Sequence, residues 1–358
     1  MRILIAPDAF KGSLTSTEAA VAMASGIRAA MPDAEIIPMP LADGGEGTLD
    51  VLHVQCGGEV RNDILCFHDR GVSCGLIEST RLIGLTLPDM PPDVFRRGSL
   101  MLGRAVLSAL DAGVRDVRIA LGGSATVDGG LGFLTALGCR VLDKHGVQVS
   151  ADLNGMMQAD SINLNNMDQR LKDVRITGLC DVQNPLCGHR GAVYVYGPQK
   201  GIESDRLPEV EMAMQHWAVL CEQAFGVSAI DIPGAGAAGG LGFALGLLEA
   251  RIVSGADYIM AASGFDQIVE TVEWVITGEG RSDVQTLDGK LPFKVAQAAR
   301  KAAVSVALIS GDVPDIQNLA DCFDIVMSAR PEGISEAESM ARVKAYLDAA
   351  AERWARGL

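Results

Sequence analysis

Residues 3–13, Ile3-Leu4-Ile5-Ala6-Pro7-Asp8-Ala9-Phe10-Lys11-Gly12-Ser13, set a short aliphatic run directly before a loop built from Pro, Asp, Lys and Gly. The same arrangement recurs along the chain. Aliphatic runs at Ile3–Pro7, Glu35–Pro38, Val117–Leu121, Val174–Leu179, Val272–Thr277, Val304–Ser310 and Phe323–Met327 are followed by Gly, Asp or Pro and then by helical patterns. Runs of this length with loop signals behind them read as buried parallel strands, which makes the fold class α/β. Thr15-Ser16-Thr17-Glu18 fits a capping box, so a helix is predicted from there until Pro32 stops it. A second such pattern, Ser335-Glu336-Ala337-Glu338, opens a predicted amphipathic helix running to Arg356.

The stretch Gly57–Leu85 alternates like a hairpin or meander and breaks the β–α rhythm, which points to a second domain. With no fixed-period repeat and no long linker, that domain is expected as an insertion. The predicted architecture is a Rossmann-like doubly wound domain formed by residues 1–60, 96–128 and 265–358. A second α/β domain, residues 61–95 and 129–264, is inserted in it, and the active-site cleft lies between the two.

At 358 residues the chain is long enough for two domains. Asp and Glu number 45 against 30 Lys and Arg, a formal charge of −15 that argues against nucleic acid or an anionic membrane surface as partner. An anionic substrate would therefore need a local pocket of Lys, Arg and backbone N–H groups. The N-terminus lacks a charged lead and long apolar run, so no signal peptide is expected. No apolar stretch reaches the roughly 18 residues of a spanning helix. The eight cysteines form no CxxC pair and the five histidines no HExxH cluster, which favours reduced thiols, no structural zinc and a cytoplasmic location.

Five polar, glycine-rich segments follow strand-like runs: Pro7–Ser13, Leu41–Thr48, Gly122–Gly130, Cys180–Gly188 with Tyr196–Gly201, and Thr277–Thr286. Glycine lets backbone N–H groups approach phosphate oxygens, carboxylates hold hard cations, and Lys or Arg offsets charge on a transferring phosphoryl group. There is no P-loop and no kinase HRD or DFG string. Gly234-Ala235-Gly236-Ala237-Ala238-Gly239 matches GxGxxG, but Ile230–Pro233 before it is a poor buried strand, so a tight helix start touching an anion is the preferred reading. Gly71-Val72-Ser73-Cys74-Gly75 matches GxSxG by chance, without a nucleophile-elbow context.

Taken together, these loops resemble the bacterial glycerate kinases of the glycerate 2-kinase type, nearly end to end. The carriers are IAPDAFKGSL (5–14), PLADGGEGT (40–48), LGGSATVDGG (121–130), CDVQNPLCG (180–188), YGPQKG (196–201), GAGAAGGLG (234–242) and TGEGRSDVQTLDGK (277–290). The resemblance implies transfer of the ATP γ-phosphoryl group to D-glycerate with Mg²⁺, at the 2-hydroxyl. Departures occur at Val127, where the family usually has Asn, at Arg97–Gly103 in place of a Ser-Ser-x-Gly-x-Gly helix start, and at Thr80 in place of Ala.

On that resemblance Asp181 is the candidate for orienting or deprotonating the hydroxyl, with an Asx turn beside Asn184 and Pro185 as its structural alternative. Lys11 is the second catalytic candidate. Substrate or nucleotide contacts are assigned to Asp8, Ser13, Gly44, Gly45, Gly47, Gly122, Gly123, Ser124, Asp128, Asn184, Lys200, Gly234, Gly236, Glu279, Arg281 and Asp283. Asp8, Asp43 and Glu46 are the candidates for Mg²⁺ or for orienting Lys11, with stabilisation of a helix dipole as a further alternative for Glu46. The expected ligands are glycerate and ATP; a homodimer is left open. A kinase for another short hydroxy acid and a non-catalytic small-molecule sensor stand as the alternative functions.

Overall fold

The computed structural model describes every residue except Arg70 and Asp315 and the side chain of Asp288. It divides into two compact units, Met1–Gln55 with Gly255–Leu358, and Cys56–Ser254.

The first unit is built on a five-stranded sheet in which every pairing is parallel. Its order is Ile325–Ser328, Ser305–Ser310, Trp274–Thr277, Arg2–Ile5, Glu35–Pro38. The chain winds outward in both directions from the central pair Arg2–Ile5 and Trp274–Thr277. That pair is the topological switch point, where ligands of open α/β sheets bind beyond the carboxyl ends of the strands. Helix Ser16–Ala30 starts at the predicted capping box: the Glu18 N–H donates to Thr15 Oγ1 at 3.2 Å and the Thr15 N–H to Glu18 Oε2 at 2.9 Å. Its small and apolar face packs on Leu347, Ala350, Ala351 and Trp354 of helix Val343–Arg356. The contact is close enough that a Cβ on Gly26 would lie 2.0 Å from the Asp348 carbonyl oxygen. The single helix predicted from Ser335 to Arg356 is in fact two, Glu336–Ala341 and Val343–Arg356. The first buries only Ser339, and the apolar stripe that anchors the second begins at Val343.

The second unit carries a six-stranded sheet in the order Arg251–Val253, Arg175–Leu179, Asp116–Ala120, Val72–Glu78, Ile64–Asp69, Glu59–Arg61. The first four strands are parallel and the last three form the antiparallel meander expected over Gly57–Leu85. Asn62 and Asp63 turn its first hairpin with both φ positive, at 49° and 60°, the two-residue geometry that matches strand twist. Residues 96–128, expected in the first domain, belong here. Strand Asp116–Ala120 is hydrogen-bonded on both sides within this sheet, and helix Leu100–Asp111 packs its Leu102, Val106 and Leu110 into this unit's core with Phe133 and Trp217. The unit also holds a short antiparallel pair, Arg140–Leu142 with Ser161–Asn163.

All seven aliphatic runs form parallel strands at or within a few residues of their predicted bounds. All eight cysteines are free. Among the described residues no helix is long and apolar enough to cross a membrane.

Candidate functional site

In the first unit, three loops leaving the carboxyl ends of neighbouring strands bring together Asp8, Lys11, Asp43 and Glu279. Asp8 follows Arg2–Ile5, Asp43 follows Glu35–Pro38, and Glu279 follows Trp274–Thr277. The loops are stitched by the Asp8 N–H to the Gly278 carbonyl at 2.9 Å and by the Thr277 hydroxyl to the Ala6 carbonyl at 2.8 Å. Gly278 also lies against the next strand, where a Cβ on it would be 1.9 Å from the Ile309 carbonyl oxygen. Asp8 is 5% exposed. Burial, then the nearby charges of Asp43 and Glu279, push its carboxyl well above the usual carboxylate range, against the pull of Lys11 and the Ala9 N–H. Lys11 Nζ lies 3.4 Å from Asp43 Oδ2. Its side chain is 68% exposed, yet Asp43 foremost, with Asp8 and Glu279, holds the ammonium above the ordinary lysine range.

Glu279 is buried and fully engaged. Its Oε1 accepts from the Ser282 and Thr286 hydroxyls at 3.2 and 2.8 Å, and its Oε2 faces Lys290 Nζ at 3.4 Å. Ser310, at the end of the neighbouring strand, accepts from the Glu279 N–H and shares a 2.7 Å hydrogen bond with Ser282. Ser282, Thr286 and Lys290 lie within the quoted stretch 277–290, and Ser310 at the end of a predicted strand, but none carries an individual role in the sequence analysis. A hydroxyl-rich stretch behind an acid in T-G-E-G-R-S and the strand-ending S-G-D at 310–312 were the available signals.

Several expected contact residues serve the loops themselves. The Ser13 hydroxyl donates to the Phe10 carbonyl at 2.8 Å and closes a turn. Asp283 caps the short helix Val284–Asp288, accepting from the Gln285 N–H at 2.9 Å. Arg281 is exposed and lies 3.6 Å from Asp283. Gly44 and Gly47 adopt positive φ, and the Gly45 N–H donates to Asp43 Oδ1 at 2.8 Å. Glu46 is exposed at the tip. Among the described residues no group of three or more His, Cys, Asp or Glu side chains is arranged to hold a metal.

In the second unit the loop Gly122–Gly130 is held from several sides. Asp128 is fully buried, and its Oδ2 accepts from the Ser99 N–H, the Ser99 hydroxyl and the Gly132 N–H at 2.8, 2.7 and 3.0 Å, its Oδ1 from the Gly130 N–H at 3.2 Å. Burial raises this carboxyl and the four hydrogen bonds oppose it. Lys200, 5% exposed, donates from Nζ to Ser124 Oγ at 3.2 Å and to the Thr126 carbonyl at 3.0 Å. Burial pulls its amine down to about 7, Arg97 acting in the same direction and Asp128 against it. Arg97 also donates to the Lys200 carbonyl at 2.8 Å. At Gly123, φ is +76° and a Cβ would lie 2.4 Å from the Thr80 methyl; Gly122 accepts from the Ser79 hydroxyl.

Asp181 is half-buried and directly follows strand Arg175–Leu179 and Cys180. Asn184 is committed within its loop: its Nδ2 donates to the Arg190 carbonyl at 2.8 Å and its Oδ1 accepts from the Tyr196 hydroxyl at 2.7 Å. The glycines of Gly234–Gly242 are packing positions. A Cβ on Gly236 would meet the Pro185 carbonyl at 2.3 Å, on Gly239 the Thr126 carbonyl at 1.9 Å, and on Gly234 Ile252 at 3.2 Å. These close approaches to the two neighbouring loops are what require glycine at this helix start. Val127 is fully buried in the apolar core, which accounts for an aliphatic residue at that position. Gly98 and Ser99 of the altered segment are both used, Gly98 because a Cβ would lie 1.9 Å from the Ala151 carbonyl.

The geometry defines an α/β protein whose acids, lysines and glycines gather in loops at the carboxyl ends of parallel strands. The family model described as "Glycerate kinase family" matches residues 3–358. The glycerate kinase of Bacillus subtilis (strain 168) is 38% identical, with 92% of each chain covered. The glycerate 2-kinase of Escherichia coli (strain K12) is 37% identical over 87% of this chain and 86% of that one. A solved structure assigned as glycerate kinase 2, from Salmonella typhimurium LT2, superposes with a TM-score of 0.79 at 32% identity, covering 100% of this chain and 98% of that one. The chain belongs to the glycerate kinase family.

Proposed function

We propose that the chain transfers the γ-phosphoryl group of ATP to the 2-hydroxyl of D-glycerate. The observation that carries this reading is the Asp8–Lys11–Asp43–Glu279 cluster at the switch point of a parallel sheet, in a chain that matches the family from end to end. In the reaction the substrate oxygen forms a bond to the γ-phosphorus, the bond from that phosphorus to the β,γ-bridging oxygen breaks, and the hydroxyl proton must leave. Asp181 is assigned to orient that hydroxyl and accept its proton, and Lys11 to offset charge on the transferring group. Half-burial of Asp181 at a strand end and the carboxylate-held ammonium of Lys11 support the assignments.

The residues fit a magnesium ion in a restricted way. A buried carboxyl raised by desolvation and by a second carboxylate is relieved by a cation, so Asp8 and Asp43 are the groups that would hold it, with exposed Glu46 on the same loop as Asp43 the further candidate. With no larger ligand group among the described residues, the remaining positions fall to phosphate oxygens and water, as is usual for this ion. When bound, Mg²⁺ supplies charge neutralisation to the phosphates.

The test is ³¹P NMR of the protein with Mg-ATP and D-glycerate. A new phosphomonoester resonance coupled to one proton is expected, marking phosphorylation at carbon 2; coupling to two protons would move the site to carbon 3. Intact ATP and no product, with the protein folded, would refute the reading.

A further inference from the structure

We propose that a short anionic hydroxy acid binds the second unit through Lys200 and that its binding loads this amine with a proton taken from solvent. The inference rests on the function proposed above, in which Lys200 is already a contact residue, and adds to it the chemistry of that contact and a proton linkage.

Lys200 ends the short helix Pro198–Lys200 and is 5% exposed, and among the described residues no carboxylate forms an ion pair with it. Its Nζ has two partners, Ser124 Oγ at 3.2 Å and the Thr126 carbonyl at 3.0 Å. A neutral amine has two hydrogens, and these two acceptors consume both. An ammonium has three, so the charged form would leave one hydrogen and a full charge unmatched in a buried place. The surrounding charges do not remedy this. Asp128 is committed to four other donors, and Arg97, which binds the Lys200 carbonyl, adds like charge. The direction of the amine's titration agrees, burial drawing it down to about 7.

A second observation points to a missing partner on the same loop. Thr126 Oγ1 is fully buried and has no hydrogen-bond partner, an arrangement that native interiors rarely tolerate. A carboxylate arriving at Lys200 supplies the absent third acceptor and the countercharge. The balance is simple: neutral amine, one proton from buffer and the bound carboxylate give an ammonium–carboxylate pair, with no other bond made or broken. Such a site prefers a small anion over a neutral polyol of the same size, because only the anion returns the cost of charging the amine.

The experiment is calorimetric titration of D-glycerate into the full chain, in pairs of buffers with different ionisation enthalpies, at pH 8 and pH 6, with turnover assayed alongside. The glycerate carboxyl is ionised at both values and contributes no protons. Net proton uptake per ligand is expected at pH 8 and markedly less at pH 6, where more of the free amine already carries its proton. Lys200→Arg, charged throughout, should bind with no proton exchange at either pH. Binding without uptake by the wild-type chain at pH 8, or uptake that persists in Lys200→Arg, would overturn the inference while leaving glycerate phosphorylation standing. Neither binding nor turnover would remove both. Should the arginine variant fail to fold, the wild-type buffer series decides alone.

Discussion

Asp8 shows how one residue can be read in sequence and yet have its character set by neighbours far away in the chain. The strand-loop pattern around Pro7 locates it, but the raised carboxyl comes from burial and from Asp43 and Glu279 on two other loops. A carboxyl raised in the folded state gives stability that is complete below the ordinary carboxylate range and is lost as pH rises through the folded value. Asp8→Asn should therefore melt at a higher temperature than wild type at pH 8, and the gain should vanish near pH 4 while activity falls. Thermal melts across that range check the sign, and a variant less stable than wild type at pH 8 would contradict it. Asp181→Asn belongs to the same scale. It should lower kcat by roughly 10²-fold or more with ATP affinity nearly unchanged, the split expected of a group acting on the acceptor hydroxyl; steady-state kinetics with a separate ATP-binding measurement resolve it. The sequence names motif residues well but cannot say which of them the loop uses for itself. Asn184, Asp283 and Ser13 have polar atoms consumed by nearby backbone or side chains, and only the folded loop shows it.

Elements were legible where their pattern is local. The capping box at Thr15 and seven aliphatic runs require only spacing and flanking residues, and each forms as read. Strand Arg251–Val253 was missed because three residues behind Glu249 at positive φ carry no run to recognise. The packing role of Gly234–Gly242 was hidden for a different reason: its glycines meet residues distant in the chain, Gly236 the Pro185 carbonyl and Gly239 the Thr126 carbonyl. A paired substitution separates conformation from contact. Gly226 and Gly239 have nearly the same φ, 71° and 69°, but a Cβ on Gly226 meets nothing within 4 Å, whereas on Gly239 it meets the Thr126 carbonyl. Gly226→Ala should cost about 1 kcal/mol from backbone strain alone. Gly239→Ala should cost about 1–3 kcal/mol more through overpacking, and should weaken glycerate binding by displacing a Lys200 acceptor. Urea unfolding of both variants provides the comparison, and equal losses would show that the contact carries no weight.

Across the whole molecule, the sequence indicated an insertion but misplaced its edges. Nothing in residues 96–128 states that their strand pairs with Val72–Glu78 and Arg175–Leu179, since neighbours in a sheet are fixed by partners far away. The inserted unit is one continuous segment, and its core runs from Ile64 to Leu247 without residues of the other unit. A fragment of residues 56–254 should accordingly fold by itself with a single cooperative thermal transition, measured by circular dichroism; a fragment without one would mean that this core needs the remainder of the chain.

The other unit has the opposite property. Its helix Ser16–Ala30 rests on helix Val343–Arg356, and its central strand Arg2–Ile5 pairs with Trp274–Thr277. On a ribosome adding roughly 5–20 residues per second, the early helix emerges about 15–60 s before its partner is made, and the inserted unit is completed in the interval. The first 55 residues thus spend most of translation as an unsatisfied half-sheet, the stage at which a holding chaperone would find this chain.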